Sequence, residues 1–134
     1  MKDNISSPAQ AAALFRATLP AGSLEERFFV LPLNGNGKVL ADPILVSVGH
    51  EDGTAQIDIA TVFREALKAG AEEIIVAHNH PSGKLTPSKA DLRLTEELRS
   101  RAEWLGVGFL DHIILGASNS TNCFDFISLA EILP

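Results

Sequence analysis

Cysteine, signal-like segments and long apolar runs are what this sequence of 134 residues has least of. Its one cysteine, Cys123, cannot form a disulfide within the chain, which favours a reducing compartment. No apolar run is long enough to span a bilayer, and residues 1–15 contain neither the apolar segment nor the cleavage site of a secretory signal. We therefore expect a soluble, cytoplasmic protein with no membrane partner.

Positive charge is also scarce, because 11 Lys and Arg residues face 17 Asp and Glu residues and the formal net charge is -6. A protein that binds nucleic acid by neutralising phosphates needs a basic surface, so this balance does not support a nucleic-acid partner. A local basic patch stays open, since five basic residues lie in or just after the central motif: Lys84, Lys89, Arg93, Arg99 and Arg101. Hydrophobic residues make up 46% of the chain, which excludes general disorder and fits one domain over residues 1–134.

Apolar spacing and turn residues predict a mixed α/β domain with helices on both sides of one sheet. Ser7, Pro8 and Gln10 form a helix-start pattern, and Pro32 indicates an edge or a bulge in the first strand. The predicted helices cover residues 7–19, 59–69 and 88–105, with a last helical turn at 128–133. The predicted strands cover residues 28–33, 38–48, 73–77, 107–115 and 123–126, and Asp42-Pro43 interrupts the second of them.

Chemistry is concentrated in AHNHPSGKLTPSKAD, residues 77–91. His78 and His80 end a predicted strand, and alternate residues of a strand point to the same side. Asp91 lies in the first turn of the next helix, from which its carboxylate can turn back toward the strand. Two imidazoles and a carboxylate form the ligand set of an open zinc site, with a fourth position for water. The structural alternative is a capped strand followed by an ordinary acid at a helix start.

Ser88 and the glutamates supply the remaining candidates. The sequence Ser88-Lys89-Ala90-Asp91 fits a capping box, while the Ser88 hydroxyl can also donate a hydrogen bond to a developing oxyanion. Zinc hydrolysis needs a base, and the motif contains no glutamate. The candidate bases therefore lie upstream of the motif: Glu25, Glu26, Glu51, Glu65, Glu72 and Glu73. Of these, Glu65 and Glu72 are typical of solvated helix charges.

The pattern His78-x-His80-x7-Ser88-x2-Asp91 resembles the JAMM metal-binding motif of JAB/MPN metalloprotease domains. The letters HNHPSG, together with LGVGFLDHIILG at residues 105–116, are similar to the RadC branch, and the likeness covers about residues 24–116. The resemblance implies a single RadC-like JAB/MPN domain with a central mixed sheet flanked by helices. Its three layers would be arranged as in cytidine deaminases.

The same resemblance implies the roles of the site residues. Zinc (Zn2+) would be bound by the two histidines and the aspartate, with Ser88 assisting the tetrahedral intermediate. A glutamate at the start of the first strand would activate the water, and Glu26 is the match, with Glu25 as the fallback. The implied reaction is hydrolysis of an amide or isopeptide bond in a protein or peptide substrate.

Two departures from the RadC pattern keep another function open. The Pro-Arg-Glu cluster expected at the start of the second helix is replaced by Ile59-Ala60-Thr61. The helix-hairpin-helix region expected in full-length relatives is also absent, so we expect a short form or an excised domain. The alternative function is a module associated with DNA repair or replication, in a non-enzymatic or nuclease role.

Asp111 and His112 lie inside the predicted strand over residues 107–115. A buried Asp-His pair can orient a ligand imidazole from behind the site. It can equally be a satisfied polar pair within the sheet. Sequence leaves both interpretations open.

Overall fold

Helices and strands alternate through the residues that the computed structural model describes, which are 4–20, 24–49, 57–116 and 125–133. The helices are α1 (Pro8–Thr18), α2 (Ile59–Lys68), α3 (Lys89–Leu105) and α4 (Leu129–Ile132). The strands are β1 (Glu26–Leu33), β2 (Ile44–Gly49), β3 (Glu73–Asn79), β4 (Gly108–Leu115) and β5 (Phe126–Ser128).

All five strands form one mixed sheet in the order β2-β1-β3-β4-β5. The β3–β4 pair is parallel, and the other three pairs are antiparallel. Parallel neighbours need a long crossover, which α3 provides between β3 and β4. The predicted α/β class with a central mixed sheet is confirmed.

Helices cover both faces of the sheet, which explains why β1 and β3 are nearly continuous apolar runs. On one face, α1 contributes Ala11 and Phe15 to a core that includes Phe29 and Ile75. On the other face, α2 and α3 pack Val62, Phe63 and Leu98 over the sheet. Within the described ranges, no helix combines the length and the apolar character needed to cross a membrane.

The predicted strand over residues 38–48 is shorter in the structure. Only Ile44–Gly49 forms β2, while Val39 makes an isolated bridge to Leu33, because Asp42-Pro43 interrupts the pairing between these segments. Pro32 lies in an inner strand, beyond the last β2 partner at Val30, so its missing N–H removes no β1–β2 hydrogen bond. The predicted last strand begins at Cys123, which lies outside the described residues, and the observed β5 is Phe126–Ser128.

Candidate metal centre

Two histidines at the end of β3 point into the same space. His78 and His80 are separated by one residue, so their side chains leave the chain on the same side, as the alternation predicts. Their Nε2 atoms lie 3.1 Å apart, and both side chains are buried. The ring of Phe28 stacks on His78 with 5.9 Å between centroids, which holds this imidazole against the sheet.

Asp91 reaches the same space from the first turn of α3. Its Oδ1 lies 3.3 Å from Nε2 of His78, and its Oδ2 lies 3.2 Å from Nε2 of His80. A capping box orients this carboxylate, because Oδ2 accepts from the Ser88 N–H (2.9 Å) while the Ser88 hydroxyl accepts from the Asp91 N–H (3.0 Å). The capping interpretation of Ser88 is therefore observed. Its role as an oxyanion donor stays a prediction, compatible with the exposure of Ser88 and with a hydroxyl that accepts at the cap and keeps its own hydrogen.

The atoms that meet in this space are hydrogen-bond acceptors. Nδ1 of His80 lies 2.8 Å from the Lys84 carbonyl oxygen, which can only accept, so Nδ1 carries the hydrogen and Nε2 presents a lone pair. The ionised carboxylate of Asp91 also only accepts. Acceptors this close repel one another unless a positive charge lies among them.

A metal ion fits this arrangement. The ligand atoms of His78, His80 and Asp91 all lie within 4.8 Å of one another, the one such group among the described residues. Ligands bound at about 2.0–2.1 Å in tetrahedral geometry lie about 3.3 Å apart. The pairs in contact are separated by 3.1–3.3 Å, with Oδ1 of Asp91 nearest His78 and Oδ2 nearest His80, which is close to the spacing around a small ion with nitrogen and oxygen ligands.

The ionisation of the cluster also favours a cation. Burial raises the pKa of Asp91, but the close contacts with His78 and His80 outweigh it and hold that pKa well below its usual range. Burial lowers the pKa of His80, yet the contact with Asp91 and the hydrogen bond to the Lys84 carbonyl raise it overall above its usual value. The centre therefore keeps its carboxylate charged and attracts positive charge.

Glu26 comes to the centre through the antiparallel pairing of β1 with β3. Phe28 is the register partner of His78, so the start of β1 lies beside the end of β3. Glu26, two residues earlier, places Oε1 3.7 Å from Nε2 of His78. Its side chain is 21% exposed, whereas the neighbouring Glu25 is 53% exposed and forms an ion pair with Arg27 at 3.6 Å.

The other candidate glutamates have different surroundings. Glu65 pairs with Lys68 at 3.3 Å, and Glu72 accepts from the Gly35 N–H at 3.0 Å. Glu73 is the first residue of β3, whereas His78 lies near the other end of that strand. Glu51 lies outside the described residues. Among the described candidates, Glu26 is the one that reaches the histidines. Its role as the base stays a prediction.

Asn79, between the two histidines, is a site residue that the sequence analysis missed. Its Oδ1 accepts from the Arg27 N–H at 2.7 Å, and its Nδ2 donates to the Glu25 carbonyl at 3.0 Å. These two bonds hold the backbone on either side of Glu26. A polar amide between two ligand histidines at the end of a buried strand was the available signal.

Comparison with known proteins identifies the family. A family model described as a RadC-like JAB domain matches residues 5–131. The chain belongs to this family. The predicted resemblance is thereby confirmed for almost the whole chain.

Relatives of the RadC-like chain carry the name UPF0758 protein. The one from Acaryochloris marina is 43% identical over 133 residues, which are 97% of this chain and 52% of the relative. The one from Thermosynechococcus vestitus is 40% identical over 133 residues, covering 97% of this chain and 48% of the relative. The chain therefore spans about half the length of these curated relatives.

A third buried histidine lies behind the candidate metal centre of this RadC-like domain. Nε2 of His112, in β4, lies 2.8 Å from Nδ1 of His78, and Nδ1 of His112 lies 2.7 Å from Oγ1 of Thr95. The Thr95 hydroxyl also lies 2.8 Å from the Asp91 carbonyl oxygen. His112 is fully buried, and this burial lowers its pKa well below the usual value.

Asp111, the neighbour of His112, turns away from the metal centre. It accepts hydrogen bonds from the Ser128 hydroxyl (2.6 Å), the Ala130 N–H (2.9 Å) and the His112 N–H (2.7 Å). The two residues of the predicted Asp-His pair therefore have different roles. His112 contacts a ligand imidazole, whereas Asp111 is a satisfied polar residue that ties β4 to α4.

Thr95 was missed because the side of α3 that is buried differs from the predicted apolar side. The helical spacing of Leu94, Leu98, Ala102 and Leu105 predicts an apolar side for α3. The side that α3 buries consists of Asp91, Thr95, Leu98 and Ala102. The buried side of α3 is polar in its first two turns, beside the candidate metal centre, and apolar further along, where it packs on the core. A threonine four residues after a ligand aspartate was the available signal.

Proposed function

We propose that this RadC-like JAB domain is a zinc-dependent hydrolase of the JAMM type, which cleaves an amide or isopeptide bond in a protein or peptide substrate. The observation that carries the proposal is the meeting of three acceptor atoms from β3 and α3 beside the carboxylate of Glu26. His78, His80 and Asp91 would hold the zinc ion. Three protein ligands leave a fourth position for water or substrate, which is typical of catalytic zinc sites and not of closed structural ones.

The reaction divides into the chemistry of the ion and the work of the side chains. When bound, zinc polarises a substrate carbonyl and lowers the pKa of water. Glu26 accepts the proton that water loses as it adds to the carbonyl carbon, and donates it to the departing amine. Asn79 keeps Glu26 beside His78 through its two backbone hydrogen bonds. The Ser88 hydroxyl donates a hydrogen bond to the developing oxyanion.

The test pairs two adjacent glutamates. Glu26→Gln keeps the size of the side chain and removes its basicity, so we expect hydrolysis to fall by roughly a hundredfold or more at unchanged zinc content. Glu25→Gln is the matched control, because that side chain is half-exposed and pairs with Arg27. It should hydrolyse like the wild type.

The zinc content of each purified variant, measured by mass spectrometry, is the second readout. Loss of zinc from Glu26→Gln would make Glu26 a ligand and not a base. Absence of zinc from the wild type, with no uptake on addition, would overturn the hydrolase proposal.

The substrate class requires a screen of the wild-type protein. Peptide, isopeptide-linked peptide, single-stranded DNA and duplex DNA should be compared, each with and without a chelator. We expect chelator-sensitive cleavage of the peptide substrates. Cleavage or binding of DNA alone would favour the alternative, a nucleic-acid-associated module, over the peptidase.

A further inference from the structure

A chain of buried polar groups leads from one ligand of the metal centre to another. It starts at the imidazole of His78, passes through His112 of β4 and Thr95 of α3, and ends at the backbone carbonyl of Asp91. The three contacts are 2.8, 2.7 and 2.8 Å long, and each of the side chains is at most 2% exposed apart from Asp91 at 8%. The chain therefore links β3, β4 and α3 directly behind the ligand atoms.

The position of each hydrogen follows from the last contact. A carbonyl oxygen only accepts, so the 2.8 Å contact between Thr95 and Asp91 requires the threonine hydroxyl to donate its single hydrogen there. The hydroxyl oxygen then accepts from Nδ1–H of His112. A neutral His112 has its lone pair on Nε2, which accepts from Nδ1–H of His78. Nε2 of His78 is left with a lone pair that points at the centre.

The reverse order of hydrogens fails at the same contact. If Thr95 donated to His112, its oxygen would face the Asp91 carbonyl oxygen at 2.8 Å with no hydrogen between them. His78 would also carry its hydrogen on Nε2, the atom 3.3 Å from the Asp91 carboxylate, and could not bind a metal there. Two acceptors in contact inside a protein are unfavourable unless a cation lies between them. A cation can lie among the candidate ligand atoms, whereas the 2.8 Å contact between Thr95 and the Asp91 carbonyl leaves no room for one, so the carbonyl sets the direction of the whole chain.

We propose that Thr95 and His112 are positioning residues that lock His78 in the Nδ1–H tautomer and hold its Nε2 lone pair toward the metal. The proposal rests on the metal binding of the proposed function and not on hydrolysis. It also explains why the two buried positions 95 and 112 carry polar side chains. Thr95 bonds the carbonyl four residues earlier in α3, and His112 lies on the same side of the sheet as His78 because its register partner is Val76.

Zinc affinity is the first test, measured by competition with a chromophoric chelator on the whole chain of 134 residues. Thr95→Val keeps the shape of the side chain and removes the hydroxyl, so we expect affinity to fall by roughly ten- to a hundredfold. Thr95→Ser restores the hydroxyl and should stay within about threefold of the wild type. Ser128→Ala, which removes an equally buried hydroxyl from the Asp111 network, is the control and should leave zinc affinity unchanged.

The tautomer itself is the second test, and it needs neither metal nor substrate. Long-range ¹H–¹⁵N spectra of histidine-labelled protein without metal should show a protonated Nδ1 and an unprotonated Nε2 on both His78 and His112. Thr95→Val should give mixed tautomers at these two rings, while Thr95→Ser should match the wild type. His80, whose Nδ1 bonds the Lys84 carbonyl, serves as the internal reference and should not change.

The outcomes separate this inference from the proposed function. Wild-type zinc affinity in Thr95→Val would overturn the positioning role, and so would a wild-type spectrum with the hydrogen on Nε2 of His78. If the wild type binds no zinc, the hydrolase proposal fails, and the tautomer spectrum alone decides this one. If Thr95→Val does not fold, the wild-type spectrum and Thr95→Ser still decide it.

Discussion

Adjacent residues of β4 lead to two buried polar clusters of opposite character. Asp111 belongs to what we call the closed cluster, consisting of its carboxylate, the Ser128 hydroxyl and the N–H groups of His112 and Ala130. There, three donors meet one acceptor group at 2.6–2.9 Å. His112 instead backs the open cluster, which consists of the ligand atoms of His78, His80 and Asp91. There, acceptors meet acceptors at 3.1–3.3 Å.

The difference separates polar groups that stabilise the fold from polar groups that wait for a ligand. A buried carboxylate with matched donors is satisfied by the protein itself. A buried group of lone pairs that converge on one point is satisfied only by a cation. Burial therefore does not distinguish the two clusters, since Asp111 and Asp91 are 6% and 8% exposed. What distinguishes the two clusters is whether donors are matched with acceptors.

Replacing a ligand of the open cluster should have the largest effect. In His80→Ala one of the three ligand atoms is gone, so we expect zinc affinity to fall by roughly a hundredfold or more and hydrolysis to be lost. The metal-free variant should stay folded by circular dichroism, because one repelling acceptor has been removed. Unfolding of this variant would contradict the comparison, since it would make the open cluster a source of stability.

Breaking the closed cluster should cost stability and spare the metal. Asp111→Ala leaves three buried donors without their acceptor, so we expect the free energy of unfolding in urea to drop by about 3 kcal/mol. Zinc affinity of the folded fraction should be unchanged. Asp111→Asn, which keeps one carbonyl acceptor, should lose less stability than Asp111→Ala. Impaired zinc binding in a stable variant would erase the distinction between the clusters.

Ser88→Gly separates the two interpretations of this hydroxyl. Glycine is tolerated at an N-cap at a loss of a few tenths of a kcal/mol, and the backbone N–H that holds Asp91 is retained. We expect thermal stability and zinc content to stay near wild type while hydrolysis falls by roughly a hundredfold. Full activity in this variant would show that Ser88 acts as a helix cap alone.

Asn79→Ala tests a satisfied side chain that serves the site. The variant frees the backbone on both sides of Glu26, so we expect hydrolysis to fall by about tenfold with zinc affinity preserved. Asn34→Ala is a matched control at the other end of β1, where Asn34 accepts from the N–H groups of Asn36 and Lys38 at 2.9 Å each. Equal losses in the two variants would reduce Asn79 to a general support of the strand.

Much of the fold could be predicted because its signals are local. The apolar runs of β1 and β3, the Ser88 cap of α3 and the alternation of His78 and His80 are each contained within a few residues. The register of β2 could not be predicted, because its pairing with β1 shifts between Phe28 and Phe29, a feature that only the paired strands reveal.

In the site, too, features with local signals could be predicted and features that depend on distant pairing could not. The three candidate ligands lie within one motif, from which their meeting was predicted, whereas the approach of Glu26 depends on antiparallel pairing with a strand far along the chain. The duties of Asp111 and His112 could not be assigned from sequence, because neighbouring strand residues face opposite sides. Their partners, Ser128 and Thr95, come from different elements on those two sides.

The carboxylate of Asp91 has one further consequence, for the order in which the protein is assembled. Its Oδ2 is both the acceptor of the α3 capping box and a candidate ligand, so the turn that starts the helix also aims the ligand. We infer that the domain would fold before it binds an ion, and the folded, metal-free His80→Ala variant is the check on this. The ion found in cells would then depend on which metals are available to a finished protein, and on how strictly its rigid site selects among them.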